Sequence, residues 1–207
     1  MKTPASNPLT KSPAGTWTIV TAKTIENIAY SGTVQVHPNR NIYIVSWLTT
    51  AGDYSGLAFF EDGHLLAACN PEESYGVSVY TINGDGTLDG KWTTPLNKGI
   101  VDNEKAVGGT PDQLEGTYQV KGTITTRNTS YEGTLNIRQE NDIYKTIWSV
   151  GIDYRGVGLR VGNKLVVGWG EDPVFCLDYE IKDGRAQGRW ANMNKSGLGV
   201  EIWQKIC

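Results

Sequence analysis

Residues 30–36 read YSGTVQV, and residues 131–137 read YEGTLNI. In the first stretch Tyr30, Gly32, Val34 and Val36 fall on one side of an extended chain, with Ser31, Thr33 and Gln35 on the other. In the second, Tyr131, Gly133, Leu135 and Ile137 oppose Glu132, Thr134 and Asn136. Successive side chains of a strand point to opposite faces, so this period of two predicts a half-buried strand at both places. The likeness of the two stretches also asks whether the whole chain is a duplication.

It is. GTW (15–17) meets GTY (116–118), DYSG (53–56) meets DYRG (153–156), and HLLA (64–67) meets KLVV (164–167). VYTINGDGTLDGKW (79–92) meets DYEIKDGRAQGRW (178–190). The offset falls in order along the chain, from 101 at Tyr30/Tyr131 through 100 at Tyr54/Tyr154 and 98 at Trp92/Trp190 to 97 at Glu104/Glu201. Single-residue deletions in one duplicated unit produce such a drift, whereas chance matches scatter. The expected organisation is a flexible tail over 1–14, one unit over 15–106, a polar linker VGGTPDQLE over 107–115, and a second unit over 116–206.

Each unit reads as all-β. Copy one offers strands near 15–22, 30–36, 42–49, 53–60, 64–70, 76–83, 87–93 and 99–107, with no convincing helical period. NGDG, EDGH and KDGR supply hairpin turns, because Gly, Asn and Asp accept the positive φ such turns need. Short, closely spaced strands predict an up-and-down antiparallel barrel, formed once per unit or merged into one larger assembly.

Composition narrows the function. A net charge of −3 argues against a nucleic-acid partner, which requires a basic surface. The opening MKTPASNPLTKSP carries lysine without an apolar run, so it does not read as a signal peptide, and no stretch is long and apolar enough for a membrane helix. The expectation is a soluble cytoplasmic protein. Cys69, Cys176 and Cys207 lack metal-ligand spacing and read as ordinary thiols; neither metal nor cofactor is expected. His37 and His64 sit beside turn residues and read as isolated and exposed. GVGLRVG (156–162) lies inside a strand pattern, which argues against a nucleotide loop.

Aromatic residues and one carboxylate stand out. Tyr43 and Trp47, with their counterparts Tyr144 and Trp148, share a strand face; Tyr54 and Tyr154 open the next strand beside small residues. Small side chains near large rings leave room for a ligand, or let a barrel curl tightly. Arg160 and Trp169 replace Phe60 and Cys69 in copy two, giving it the richer mixture for a binding site. Glu104 and Glu201 stand among apolar residues, as in LGVEIW (198–203). Such a carboxylate serves as an acid or base, or accepts hydrogen bonds from a tyrosine hydroxyl or an indole N–H.

The opening G-T-[WY] of each unit, followed by Y-x-G-T, Y-x-G, Y-x-I and G-x-W, resembles the calycins, the lipocalin and avidin-type barrels, as found in small bacterial β-domains. The resemblance implies two tandem eight-stranded barrels with a cup for a small, largely apolar ligand. The polar set by which avidins hold biotin has no counterpart here, so biotin is not implied. Three readings of function stand open. One is a binder or carrier of a small apolar or aromatic molecule. Another is a metal-free cyclase or isomerase with Glu104 or Glu201 as catalytic group. The third is a protein-interaction module.

Overall fold

The computed structural model describes residues 12–72 and 74–206. Of the tail expected over 1–14, residues 1–11 lie outside the described residues, as does Cys207, while Pro13 is buried at the entry to the first strand. The chain is all-β. The first copy forms β1 (Gly15–Lys23), β2 (Gly32–Asn39), β3 (Ile42–Thr49), β4 (Gly52–Glu61), β5 (His64–Cys69), β6 (Tyr75–Ile82), β7 (Leu88–Thr93) and β8 (Asp102–Val107). The second forms β9 (Gly116–Ile124), β10 (Thr129–Glu140), β11 (Ile143–Ser149), β12 (Asp153–Val161), β13 (Lys164–Gly170), β14 (Phe175–Lys182), β15 (Arg185–Asn192) and β16 (Gly199–Lys205). Every strand expected in copy one is present; the last starts late, because residues 94–101 fold into a loop around a 3₁₀ turn at Pro95–Asn97. The expected DG turns sit at positive φ, with Asp62 and Gly63 at 52° and 86° and Asp183 and Gly184 at 49° and 74°.

Two closed antiparallel barrels result, and neither coincides with one copy of the repeat. Barrel A runs β1-β2-β3-β4-β5-β14-β15-β16 and closes β16 onto β1. Barrel B is the unbroken run β6 to β13, closed by pairing β13 with β6. Each keeps the nearest-neighbour order of an up-and-down meander, but in each the fifth strand of one copy pairs with the sixth strand of the other, β5 with β14 and β13 with β6. The crossings are short, 70–74 and 171–174, and they bond to each other: Asn70 Nδ2 donates to the Glu171 carbonyl at 2.6 Å and Glu171 N to that of Ser74 at 3.0 Å.

Three cores follow from this path. Trp17, Trp47, Tyr179 and Trp203 fill barrel A; Tyr80, Tyr118, Leu135 and Trp148 fill barrel B. A third core lies between them, where Leu57, Phe59 and Leu66 on the outside of barrel A meet Val77, Val79, Leu159 and Val166 on the outside of barrel B. β5, β6, β13 and β14 therefore have no solvent face over most of their length, which explains near-continuous apolar runs such as LLAAC and LVV. Outer-wall β1 keeps strict alternation at its start. Glu61 of barrel A bridges Lys91 and Lys164 of barrel B, the latter at 2.6 Å. The aromatic of each G-T-[WY] ties its strand to the preceding chain, Trp17 Nε1 to the Pro13 carbonyl at 3.0 Å and Tyr118 Oη to that of Leu114 at 2.9 Å.

Exchange of strands makes a physical claim about the two halves. A protease site placed in the exposed 110–113 segment cuts the chain between β8 and β9. The two fragments should then co-elute at the mass of the intact protein and part only at the denaturant concentration that unfolds both barrels. Separation of folded halves in native buffer contradicts the exchange.

Candidate functional site

Each barrel holds a cup with a glutamate in its lining. In barrel A, β16 carries Glu201, whose Oε2 accepts Tyr179 Oη and Trp203 Nε1, each at 2.7 Å, while Oε1 accepts Tyr30 Oη. Trp190 Nε1 donates to Tyr30 Oη at 3.0 Å. In barrel B, β8 carries Glu104, whose Oε1 accepts Tyr80 Oη at 2.5 Å and Trp148 Nε1 at 3.2 Å, while Oε2 accepts Tyr131 Oη at 2.7 Å. Both networks draw on both copies: Tyr30 reaches Glu201, and Tyr131 reaches Glu104.

Local sequence explains how the phenols reach the carboxylates. The glycines of G-K-W and G-R-W lie beneath the tyrosine rings. A Cβ on Gly90 would stand 2.4 Å from the Tyr80 ring, and one on Gly188 would stand 2.0 Å from that of Tyr179. Only glycine lets those rings lie flat against the neighbouring strand, and this accounts for the retained G-x-W.

The cup of barrel A has a volume of about 200 Å³ and is lined chiefly by Tyr30, Trp47, Tyr54, Cys69, Phe175 and Trp190 around Glu201, with Glu26 and Lys195 also lining it. The cup of barrel B is about 140 Å³, lined by Trp92, Tyr131, Trp148, Tyr154 and Trp169 around Glu104, with Ser78, Ile124 and Val150. One exchange of sizes distinguishes them. Cys69 pairs across strands with Phe175 in barrel A, whereas Trp169 pairs with Gly76 in barrel B. The large residue has moved from one strand to its neighbour.

Burial raises the Glu201 pKa, opposed by hydrogen bonds from Tyr30, Tyr179 and Trp203. The Trp47 indole lends further favourable electrostatics, although its buried Nε1 makes no hydrogen bond of acceptable geometry. Burial, reinforced by the adjacent carboxylates, pushes the Tyr30, Tyr80, Tyr131 and Tyr179 phenols far upward. They are therefore neutral donors. Burial likewise raises the Cys69 thiol and pushes that of Cys176 up to about 12, so neither is a ready thiolate. Among the described residues no three His, Cys, Asp or Glu side chains form a group able to hold a metal, and no helix is long and apolar enough to cross a membrane.

Of the residues singled out in the sequence, Trp47, Tyr54 and Glu201 meet in one cup and Trp148, Tyr154, Trp169 and Glu104 in the other. Three do not line either cup. Tyr43 packs edge-on to Phe60 at 6.3 Å, Tyr144 is buried with its hydroxyl on Gln139 at 3.3 Å, and exposed Arg160 bonds the Gly162 carbonyl. Sequence reasoning passed over Tyr30, Tyr131, Trp92 and Trp190 as site residues. Their signal was present in the repeated Y-x-G-T and G-x-W. His64 corrects the reading of an isolated, exposed histidine: it is half-buried, with Nδ1 2.8 Å from Asp178 Oδ1 on the strand contributed by the other copy.

Two outcomes follow from these bonds. Glu201→Gln keeps one oxygen for Tyr179 and Trp203 but sets an amide N–H₂ against the Tyr30 hydroxyl, leaving a buried donor unmatched; it should cost about 1–3 kcal/mol in chemical denaturation and lower Tm. The hydrogen bond to Asp178 holds His64 above its ordinary pKa of 6.5 despite burial. A raised folded-state pKa adds stability that is complete below 6.5 and is lost as pH rises through the folded value. Urea midpoints should fall over that window, and His64→Gln should flatten the fall.

No family model, no curated protein and no solved structure matches the chain, so the functional reading rests on the geometry of its two cups.

Proposed function

We propose that each barrel encloses a small, largely apolar or aromatic molecule in the cup beside its glutamate, and that the protein is a binder or carrier. The supporting observation is recurrence: both barrels keep an aromatic-lined cavity at the same network, although the residues around it have been exchanged. An apolar cavity of roughly 150 Å³ takes a benzene-sized guest. Cavities of about 140 and 200 Å³ thus suit one ring to a fused pair, or a short branched chain. They are smaller than ordinary ligand pockets of roughly 300–1,000 Å³, so a longer molecule would protrude from the mouth. The net charge of −3 favours such a partner over nucleic acid.

A metal-free cyclase or isomerase is the second reading, favoured by Tyr30, which lines cup A and touches Glu201. A substrate proton would pass to Glu201 directly, since it lines the cup, or by way of that phenol. Three hydrogen bonds to Glu201 favour its role as an acceptor that fixes the rings.

Tryptophan fluorescence titrated with indole, naphthalene and short isoprenoid alcohols tests the proposal. A saturable change is expected, and Tyr54→Leu or Tyr154→Leu should weaken it roughly three- to tenfold, the worth of one aromatic contact. Chemical conversion of the bound compound would favour the enzyme. No saturable response to any compound removes both readings and leaves the interaction module.

A further inference from the structure

We infer that the cup of barrel B takes a small organic cation with a methylated ammonium head, held between aromatic faces and against the carboxylate of Glu104. This rests on the small-molecule reading above and narrows it for one of the two cups.

Five of the nine residues lining this cup are aromatic. Their planes are steeply inclined: Trp169 meets Trp92 at 68°, Trp148 at 53° and Tyr154 at 72°, and Trp92 meets Tyr131 at 64°. Rings set this way wall a box instead of stacking closed. Two indole edges are spent elsewhere, Trp148 Nε1 on Glu104 and Trp169 Nε1 on Ser78 Oγ at 2.9 Å, so those rings offer the cup apolar surface. The negative face of an aromatic ring attracts a cation, and rings grouped as a cage recognise methylated ammonium.

The counter-charge is already in place. Glu104 is buried, its two oxygens accept from three neutral donors, and among the described residues no Lys, Arg or His forms an ion pair with it. A cation in the cup supplies the missing partner where little water screens the attraction. No basic side chain lines cup B; Lys98 and Arg127 of the adjoining loops are exposed and outside the lining. Cup A differs, since Lys195 lines it. Methylation follows from the balance of the lining: Glu104 already takes three donors and Ser78 accepts from Trp169, while five of the nine walls are aromatic, so a primary ammonium would leave part of its N–H groups without partners, a cost that methyl groups avoid. A volume of about 140 Å³ holds the head and little more, which fits a free small cation.

Calorimetric and fluorescence titrations of the full chain with choline chloride and with its neutral carbon isostere, 3,3-dimethyl-1-butanol, test this at matched sodium chloride. Choline should bind at least about tenfold more tightly, and Trp92→Leu should weaken it by about the same factor. Glu104→Gln should remove the preference. If that variant does not fold, Trp92→Leu, which leaves the bonds of Glu104 intact, decides: it should weaken choline more than the isostere, and equal weakening of both overturns the cation. Equal affinity for both compounds overturns the cation while the cup reading stands. Silence toward choline with a response to indole does the same, and silence toward every compound sinks both. Phosphatidylcholine vesicles and a trimethyllysine peptide form the remaining arms; binding of either in place of choline overturns the free-cation assignment.

Discussion

A carboxylate inside a β-barrel must be given partners, and the rest of this fold answers that demand. Leaving Glu201 or Glu104 unpaired in an apolar interior would cost several kcal/mol, of the order of the margin by which small proteins are stable at all. Three donors converge on each, and every donor brings its own requirement. Tyr179 and Tyr80 lie across glycine on the neighbouring strand. Tyr30 takes a further bond from Trp190, and Trp203 packs its ring 3.9 Å from that of Tyr179. The spacing of G-x-W, Y-x-I and the glutamate strand is thus one condition expressed at three places in the chain. With so many large rings bound by their polar edges, none is free to collapse inward, and a cavity persists beside the network.

The two barrels meet the same condition with different parts. Trp203 serves Glu201 from its own strand, but the corresponding residue beside Glu104 is Ala106, and Trp148 supplies the indole instead. At the mouths, Lys195 bonds Glu26 to join the β15–β16 loop to the β1–β2 loop of barrel A. The equivalent loops of barrel B are joined by buried Asp102, which accepts Asn97 Nδ2 at 3.0 Å and Thr125 N at 2.7 Å. One mouth is thus joined by an exposed charged pair, and the other by a buried carboxylate bridge, with Lys98 and Arg127 on its loops exposed and outside the cup lining. Divergence has therefore kept the shape of the cup and altered its electrostatics, which is the expected outcome if the two take different guests.

Much of this was legible in the sequence, because strands, turns and duplication are local or periodic signals. The alternation in YSGTVQV, the DG turns and the drifting offset needed no tertiary information. The retained glutamate, tryptophans and tyrosines pointed to the cups for the same reason: both copies kept the network. The exchange of strands left no such trace. Matching the copies shows which strands are equivalent, but an equivalent strand from either copy satisfies the same pairing. His64 was misread on that account, since Asp178 lies 114 residues away and reaches it only through the exchange. Arg160 drew attention because it differs from Phe60, yet it pairs with Leu165 at the end of β12 away from Tyr154 and Trp169, so sharing their strand face does not bring it to the cup. The cross-strand pairs hold the fainter signal. Cys69 with Phe175 and Gly76 with Trp169 conserve summed bulk only when a strand from one copy is placed beside a strand from the other.

That compensation bears on how the molecule assembles. Barrel B is contiguous, and its closure of β13 onto β6 brings Tyr75 beside Gly170. Before it closes, pairing β5 with β14 would mean ordering the ends of a loop of about a hundred residues, at an entropic cost that grows with the logarithm of its length. Once barrel B is closed, those ends are already neighbours, and β14 meets β5 with only short crossings to order. The outermost pairing, Trp17 with Lys205, spans the longest loop and is the costliest to form early for the same reason. Barrel A is in this sense built around barrel B, and the apolar face between them, with Phe59 and Leu66 against Val79 and Val166, is the surface on which it is built. Tyr30 and Glu201 stand 171 residues apart, so loop entropy favours an order in which barrel B closes first and their bond, with cup A, forms afterwards.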